Sequence, residues 1–293
     1  MSFFQSRDGT QLHEQTWAAE GKPLASVVMV HGYGEHIGRY DEAGRALAAA
    51  GFSVRGLDLR GHGQSGGVRG YCNRFDEYLD DVDAIVARAR GEGLPLFLFG
   101  HSFGALVVPF YVLHHPTAVA GMVLTSPYWQ LALPQPAPKI WAGKIASFIA
   151  PKLALPTGLK GSDVCKDPEL QAKYDADPLN NKNATARWFT ESTAAQAELV
   201  VRAPELTTPT LLLVGAADRV AAAPQARVVF ERLGSKDKTL RMLEGQYHEV
   251  LNEPKPTRTA TVNEIVEWLR AHANAAKGAT AGASGGKLRA QDA

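Results

Sequence analysis

Leu96-Phe97-Leu98-Phe99-Gly100-His101-Ser102-Phe103-Gly104-Ala105-Leu106 runs from an apolar, strand-like segment through Gly-x-Ser-x-Gly into an apolar, helix-like one. That order predicts a sharp strand-to-helix turn with Ser102 at its tip, its hydroxyl exposed and the positive end of a helix dipole beneath it. The flanking glycines suit such a turn, because neighbouring backbone can approach them with no side chain in the way. The same pattern recurs as Gly63-Gln64-Ser65-Gly66-Gly67 and as Gly282-Ala283-Ser284-Gly285-Gly286. Ser65 follows a turn-rich stretch and precedes more glycine, while Ser284 lies in an Ala-, Gly- and Ser-rich tail. Only Ser102 has a strand before it and a helix after it, and it is read as a nucleophile.

Outward from that stretch, strand-like and helix-like patterns alternate. Ala25–Val30, Ser53–Leu57, Leu96–Phe99, Gly121–Thr125, Thr210–Val214 and Lys238–Leu243 read as strands. Tyr40–Ala50, Phe75–Arg90, the run after Ser102, the segment near Pro224–Leu233 and Thr257–His272 read as helices, the acids of Phe75–Arg90 forming a solvated outer face. This alternation predicts an α/β fold with a mainly parallel central sheet covered by helices on both faces. The rhythm breaks between Ser126 and Thr208, where prolines and helical segments replace buried strands. The expected organisation is therefore a first core part at 1–126, a helical cap at 127–208, a second core part at 209–273 and a flexible low-complexity tail at 274–293. The first cap helix, about Lys139–Leu153, gathers Ile140, Trp141, Ile145, Phe148 and Ile149 on one side. Packing against the main domain is the default expectation for that side, with an acyl tunnel or a membrane surface as the alternatives.

The chain has 293 residues, 45% hydrophobic and 21% charged, an ordinary globular composition. Thirty-one Lys and Arg against 30 Asp and Glu leave no strong field for nucleic acid, so a small or neutral ligand is expected. The two cysteines, Cys72 and Cys165, lack metal-ligand spacing and fit free thiols in a reducing compartment. The start lacks the charged and apolar segments of a signal peptide, and no run reaches the roughly 18 apolar residues of a membrane span. A cytoplasmic protein is expected, needing neither metal nor other cofactor.

A serine hydroxyl is a weak nucleophile, so it requires a base and an acid that orients the base. In a sheet of this kind the partners follow in the order Ser, Asp or Glu, His, each just beyond a strand's carboxyl end. His248 and His272 are downstream and eligible. His272 ends the last helix, where it suits the dipole, whereas His248 follows a strand and a loop and fits the base. The histidines His31, His36, His62 and His101 lie upstream of or beside the serine and are read as loop formers. Asp218 directly follows Leu211-Leu212-Leu213-Val214-Gly215-Ala216-Ala217, a buried strand that turns into a loop, and fits the acid. Glu244 and Glu249 are too close to His248 in sequence, and Asp237 sits at the wrong end of a strand. An oxyanion hole would draw one backbone donor from Phe103 and the other from Tyr33, in the glycine-flanked turn His31-Gly32-Tyr33-Gly34.

Together these residues resemble the monoacylglycerol lipase and lysophospholipase group of the α/β-hydrolase fold. The resemblance rests on His31-Gly32-Tyr33-Gly34-Glu35-His36 with Gly38-Arg39-Tyr40, Asp58-Leu59-Arg60-Gly61-His62-Gly63-Gln64-Ser65, Gly100-His101-Ser102-Phe103-Gly104, Gly215-Ala216-Ala217-Asp218-Arg219 and Tyr247-His248-Glu249. It implies a helical cap over an acyl-chain pocket, Ser102, Asp218 and His248 as a triad, and Glu35 and Arg39 near a glycerol headgroup. As a bare sequence pair, Glu35 and Arg39 read equally as an ion pair. Phe103 and Ala105 stand where the group often has Met and Gly, and Leu251 where animal members carry a second histidine. The expected activity is serine carboxyl-ester hydrolysis of single-chain acyl esters, with peripheral membrane contact through the cap near Lys139, Lys144 and Lys152. Two other readings remain at this point. A peptidase would need a cap carboxylate such as Asp163, Asp175 or Asp177 to hold a substrate ammonium, and a non-catalytic binding protein would tend to lose a triad member.

Overall fold

Strands whose residues are apolar from end to end belong in a sheet covered on both faces, and here every residue of Ala25–Val30, Leu96–His101, Gly121–Thr125 and Thr210–Gly215 is buried. The computed structural model describes residues 2–117, 119–133 and 136–287. The first core part contains β1 (Ser2–Gln5), β2 (Gln11–Trp17), β3 (Ala25–Val30), α1 (Asp41–Ala49), β4 (Phe52–Leu57), α2 (Asp76–Arg90), β5 (Leu96–His101), α3 (Gly104–His114) and β6 (Gly121–Thr125). Next come α4 (Ala137–Ile149), β7 (Ala154–Pro156), α5 (Gly161–Val164), α6 (Pro168–Ala176), β8 (Asn183–Thr185) and α7 (Ala186–Arg202). The chain then returns to the sheet with β9 (Thr210–Gly215), α8 (Ala223–Arg232), β10 (Lys238–Leu243) and α9 (Thr257–Lys287).

Among the described residues the main sheet has the strand order β1-β2-β4-β3-β5-β6-β9-β10, parallel from β4 to β10 and antiparallel at β1 and β2. One apolar layer joins Trp17, Met29, Phe52, Phe97 and Phe99 to α1 and to Ile265 and Leu269 of α9. The other joins Val28, Leu98 and Leu124 to α2, α3 and α7. Strand order reverses at β3, whose neighbours are β4 and β5, so the loops leaving β3 and β5 diverge there at their carboxyl ends. Such a switch point is where sheets of this type bind ligands.

Sequence patterning leaves out β1 and β2, because Gln11-Leu12-His13-Glu14-Gln15-Thr16-Trp17 is too polar to signal a strand. Its buried polar groups are satisfied by distant partners: Glu14 is bonded to Arg55 and Arg88, and His13 to Asp58. The last helix does not stop near His272 but continues to Lys287, so the tail expected to be flexible begins as helical backbone. Alanine, the strongest helix former, recurs through Ala273, Ala275 and Ala276. Side chains from 277 onward and all of 288–293, including the Ser284 pattern's side chains, lie outside the described residues. His272 consequently lies within α9, its ring bonded to the Trp268 carbonyl and to Asp237 instead of ending the helix.

Candidate active site

Ser102 joins β5 to α3 with a φ of 51°, a left-handed conformation that a side chain normally avoids. Its backbone is pinned on both sides: its amide donates to the Thr125 carbonyl at 2.9 Å, and its carbonyl accepts from the Tyr128 amide at 3.0 Å. The flanking glycines explain how the turn closes. A Cβ on Gly100 would lie 2.6 Å from the Gly104 carbonyl oxygen, and one on Gly104 would collide with the Val30 carbonyl. Strand, elbow and helix therefore approach at backbone contact, which only glycine allows.

The loops after β9 and β10 bring Asp218 and His248 to this serine. His248 Nε2 lies 2.8 Å from Ser102 Oγ, and His248 Nδ1 lies 2.7 Å from Asp218 Oδ2. The other Asp218 oxygen accepts the Val220 and Ala221 amides at 2.7 and 2.9 Å, which fixes the carboxylate's orientation. With Nδ1 donating to Asp218, Nε2 is left as the acceptor of the serine proton. Burial pushes the His248 imidazole down, but the charge and hydrogen bond of Asp218, backed by Glu249 and Glu35, outweigh it and hold the group above histidine's ordinary value. The His101 ring lies 4.9 Å from the His248 ring, tilted by 56°, and is pushed down to about 3 by burial and then by His248, so it stays neutral beside the base.

The loop after β3 is pinned around the Tyr33 amide. His31 Nε2 accepts the Leu59 amide, and its other nitrogen donates to the Gly32 carbonyl. Asp58 Oδ1 accepts the Ile37 amide at 2.7 Å, and Glu35 Oε1 accepts both the Gly32 amide and the Tyr40 hydroxyl at 2.6 Å. Among the described backbone hydrogen bonds, neither the Tyr33 nor the Phe103 amide is spent on a carbonyl. Arg39, read with Glu35 as a headgroup pair, sits behind the cavity, between Glu35 Oε2 at 3.2 Å and Glu249 Oε2 at 2.6 Å. Glu35 and Glu249 line the cavity; Arg39 does not.

Above Ser102 lies a cavity of about 440 Å³ within the size range of small-molecule sites. Its upper walls are largely apolar and come from the segments between β6 and β9, including Ala146, Leu155, Trp188 and Phe189. The expectation that the large apolar side of α4 packs inward is overturned. Trp141 is 65% exposed and Phe148 85%, with Ile145 and Ile149 also exposed, while the small Ala142, Gly143 and Ala146 face the cavity. The reason is close packing against α7. A Cβ on Gly143 would stand in van der Waals contact with Phe189, and Ser147 Oγ is 2.7 Å from Thr190 Oγ1, so small side chains make the contact between α4 and α7.

Residues 21–255 match the family model described as serine aminopeptidase, S33. The chain belongs to that family. It is 35% identical over 93% of its length to a mouse monoglyceride lipase, of which the match covers 90%. It is 33% identical to an uncharacterized abhydrolase domain-containing protein of Dictyostelium discoideum, of whose length the match spans 29%. Among solved structures, the monoacylglycerol lipase of Paleococcus ferrophilus superposes with a TM-score of 0.82 at 32% identity, covering 89% of this chain and 99% of that one. This family member is a serine ester hydrolase on the α/β-hydrolase fold.

The remaining residues of this hydrolase sort by what they touch. Ser65, centre of the second Gly-x-Ser-x-Gly, is buried, donates to the Asp58 carbonyl and accepts the His13 amide at 2.9 Å, which makes it a turn fastener. The aminopeptidase-like reading is not favoured, because the cap carboxylates it needs are committed elsewhere. Asp163 accepts the Lys160 amide, Asp175 the Gly161 amide, and Asp177 is bonded to His36 and the Leu179 amide; none lines the cavity. Sequence reasoning overlooks Glu249, set aside as a candidate acid for His248 yet forming the cavity wall beside that base. Trp188 is missed as well, since a lone tryptophan on a cap helix carries no motif.

Proposed function

We propose that this hydrolase cleaves monoacylglycerols and related single-chain acyl esters, lysophospholipids included, through an acyl-enzyme. Ser102 Oγ adds to the ester carbonyl carbon as its proton passes to His248 Nε2, and Asp218 stabilises the imidazolium. The Tyr33 and Phe103 amides receive the carbonyl oxygen as it becomes negative. Collapse breaks the carbon–oxygen bond to the alcohol, which leaves with the proton from His248. Water then adds to the acyl carbon, with His248 taking its proton; the bond from that carbon to Ser102 Oγ breaks as Oγ recovers the proton from His248, and the fatty acid is released. Glu35 and Glu249 offer acceptor oxygens to the hydroxyls of the departing alcohol, and Arg39 holds both carboxylates in place.

The observation that carries this reading is the continuous chain Ser102–His248–Asp218, at 2.8 and 2.7 Å, on the floor of an apolar cavity. Its test is a substrate panel of monoacylglycerols, lysophospholipids, short p-nitrophenyl esters and an aminoacyl-arylamide, run on the parent and on Ser102→Ala. Turnover of the acyl esters should fall by about 10⁴-fold or more in the variant. Equal rates in the two proteins, or preference for the arylamide, would sink the reading.

The same reading has the cap resting on the lipid surface that supplies the substrate. Leu153 and Leu155 are also exposed, at the cavity's edge, and Lys144 stands 5.2 Å over the Trp141 ring, an arrangement suited to an interface with lipid headgroups. Lys152 lies nearby over Tyr71, whereas the Lys139 side chain is outside the described residues. No helix among the described residues is long and apolar enough to cross a membrane, so this contact would be peripheral. Free, buried Cys72 and Cys165 suit a cytoplasmic enzyme.

A further inference from the structure

The two amides assigned to the oxyanion hole belong to aromatic residues, and both rings rest on one side chain of the cap. Trp188, near the start of α7, stacks on Tyr33 with centroids 3.5 Å apart and planes at 23°. It meets Phe103 edge-on at 5.4 Å and 64°, and Tyr33 and Phe103 meet each other at 6.1 Å. Tyr128 stacks near Trp188 at 5.8 Å and 20°. The indole N–H of Trp188 is buried with no hydrogen-bond partner among the described residues, so its ring contacts, not a hydrogen bond, account for its place.

The two halves of the hole are supported unequally. Phe103 is the N-cap of α3, joined directly to that helix and sharing its rigidity. Tyr33 sits on a loop, and its ring is that loop's lateral anchor: the hydroxyl lies 3.0 Å from the Gly70 carbonyl and 2.9 Å from the Asn183 carbonyl of β8. The Asn181 amide reinforces the same loop by donating to the Gly34 carbonyl at 2.8 Å. Two donors stabilise one oxyanion only if both stand within hydrogen-bond reach of a single point, and a shift of about 1 Å can cost on the order of 100-fold in rate.

We propose that Trp188 is a positioning residue that keeps the Tyr33 and Phe103 amides in register, so that the cap sets the rate of a chemical step to which it contributes no reacting group. This inference rests on the assignment of those two amides to the oxyanion. Because the stack acts on the transition state more than on the bound ester, its loss appears in kcat rather than in KM.

The test uses the full chain, p-nitrophenyl butyrate as substrate, and active sites counted by endpoint fluorophosphonate labelling, so that unfolded molecules drop out of the rate. In Trp188→Leu, kcat per labelled site should fall by about tenfold or more with KM within about threefold. Trp188→Phe, which restores a flat ring, should return to within about threefold of the parent. A Trp188→Leu protein whose kcat per labelled site stays within threefold of the parent overturns the inference; so does a loss confined to KM, or a Phe variant as slow as the Leu variant. Should Trp188→Leu fail to fold, Trp188→Met, which fills the site without a ring and leaves the Tyr33 hydroxyl's bonds in place, replaces it, and the same thresholds apply. A parent that neither labels at Ser102 nor turns over the ester would instead sink the underlying assignment.

Discussion

The β5–α3 elbow and cap helix α4 are both apolar runs in the sequence, yet the structure treats them in opposite ways. From Leu96 to Val112 every side chain is buried, because sheet neighbours and flanking helices cover the run on all sides. In α4 the large residues Trp141, Ile145, Phe148 and Ile149 point to solvent and the small ones point to the cavity. The core therefore spends its apolar surface on holding three polar groups in one line, whereas the cap leaves apolar surface available for something outside the molecule. Apolar content alone does not tell the two apart; what covers it does.

Asp218→Asn should produce the largest effect on the core side. An amide that can donate to His248 Nδ1 favours the wrong tautomer, so kcat on a soluble ester should drop by about 10³–10⁴-fold with little change in melting temperature. A loss below tenfold would mean that Asp218 does not orient the base. Gly104→Ala ranks next, since the added methyl meets the Val30 carbonyl; calorimetry should show a destabilisation of about 2–3 kcal/mol. An unchanged unfolding temperature would show that the elbow tolerates a side chain and that its glycine is not required by packing.

The cap side supplies the contrasting measurement. Phe148→Asp combined with Ile149→Asp should weaken association with phosphatidylglycerol-containing vesicles about tenfold or more, because each large side chain removed from water contributes roughly 1.5–3 kcal/mol. Hydrolysis of vesicle-borne monoacylglycerol should suffer more than hydrolysis of a dissolved short ester. Equal losses on both substrates would erase the distinction between the two regions. The smallest effect concerns acidity. His248 must be neutral to accept the serine proton, and its neighbours hold its pKa above the ordinary value, so activity should be present at neutral to alkaline pH and fall as pH drops through that raised pKa. Glu249→Gln removes one of the charges that raise it, so the acid limb of the kcat profile should move to lower pH. A limb that moves upward, or does not move, would contradict that electrostatic account.

Much of the site is legible in the chain order because each participant sits where a strong local pattern stops. Ser102, Asp218 and His248 each follow a strand's carboxyl end, and parallel strands deliver those ends to one edge of the sheet. The Tyr33 loop is legible for the same reason, since β3 and β5 are hydrogen-bonded neighbours. What escapes are contacts between segments with no pattern in common. Glu249 pairs with Arg39 across more than two hundred residues, β2 is a polar strand whose charges are met by Arg55 and Arg88, and Trp188 reaches down from the cap to two loops of the core.

By itself the sequence determined the α/β alternation, the choice of Ser102 over Ser65 and Ser284, and the order of serine, acid and histidine, because these depend on periodicity and on glycines read locally. Only the tertiary structure decided which side of α4 faces water, where Arg39 goes, and that Tyr33 and Phe103 share one tryptophan. Those outcomes depend on how closely separate elements approach, and that distance is set by the volumes of side chains far apart in the chain.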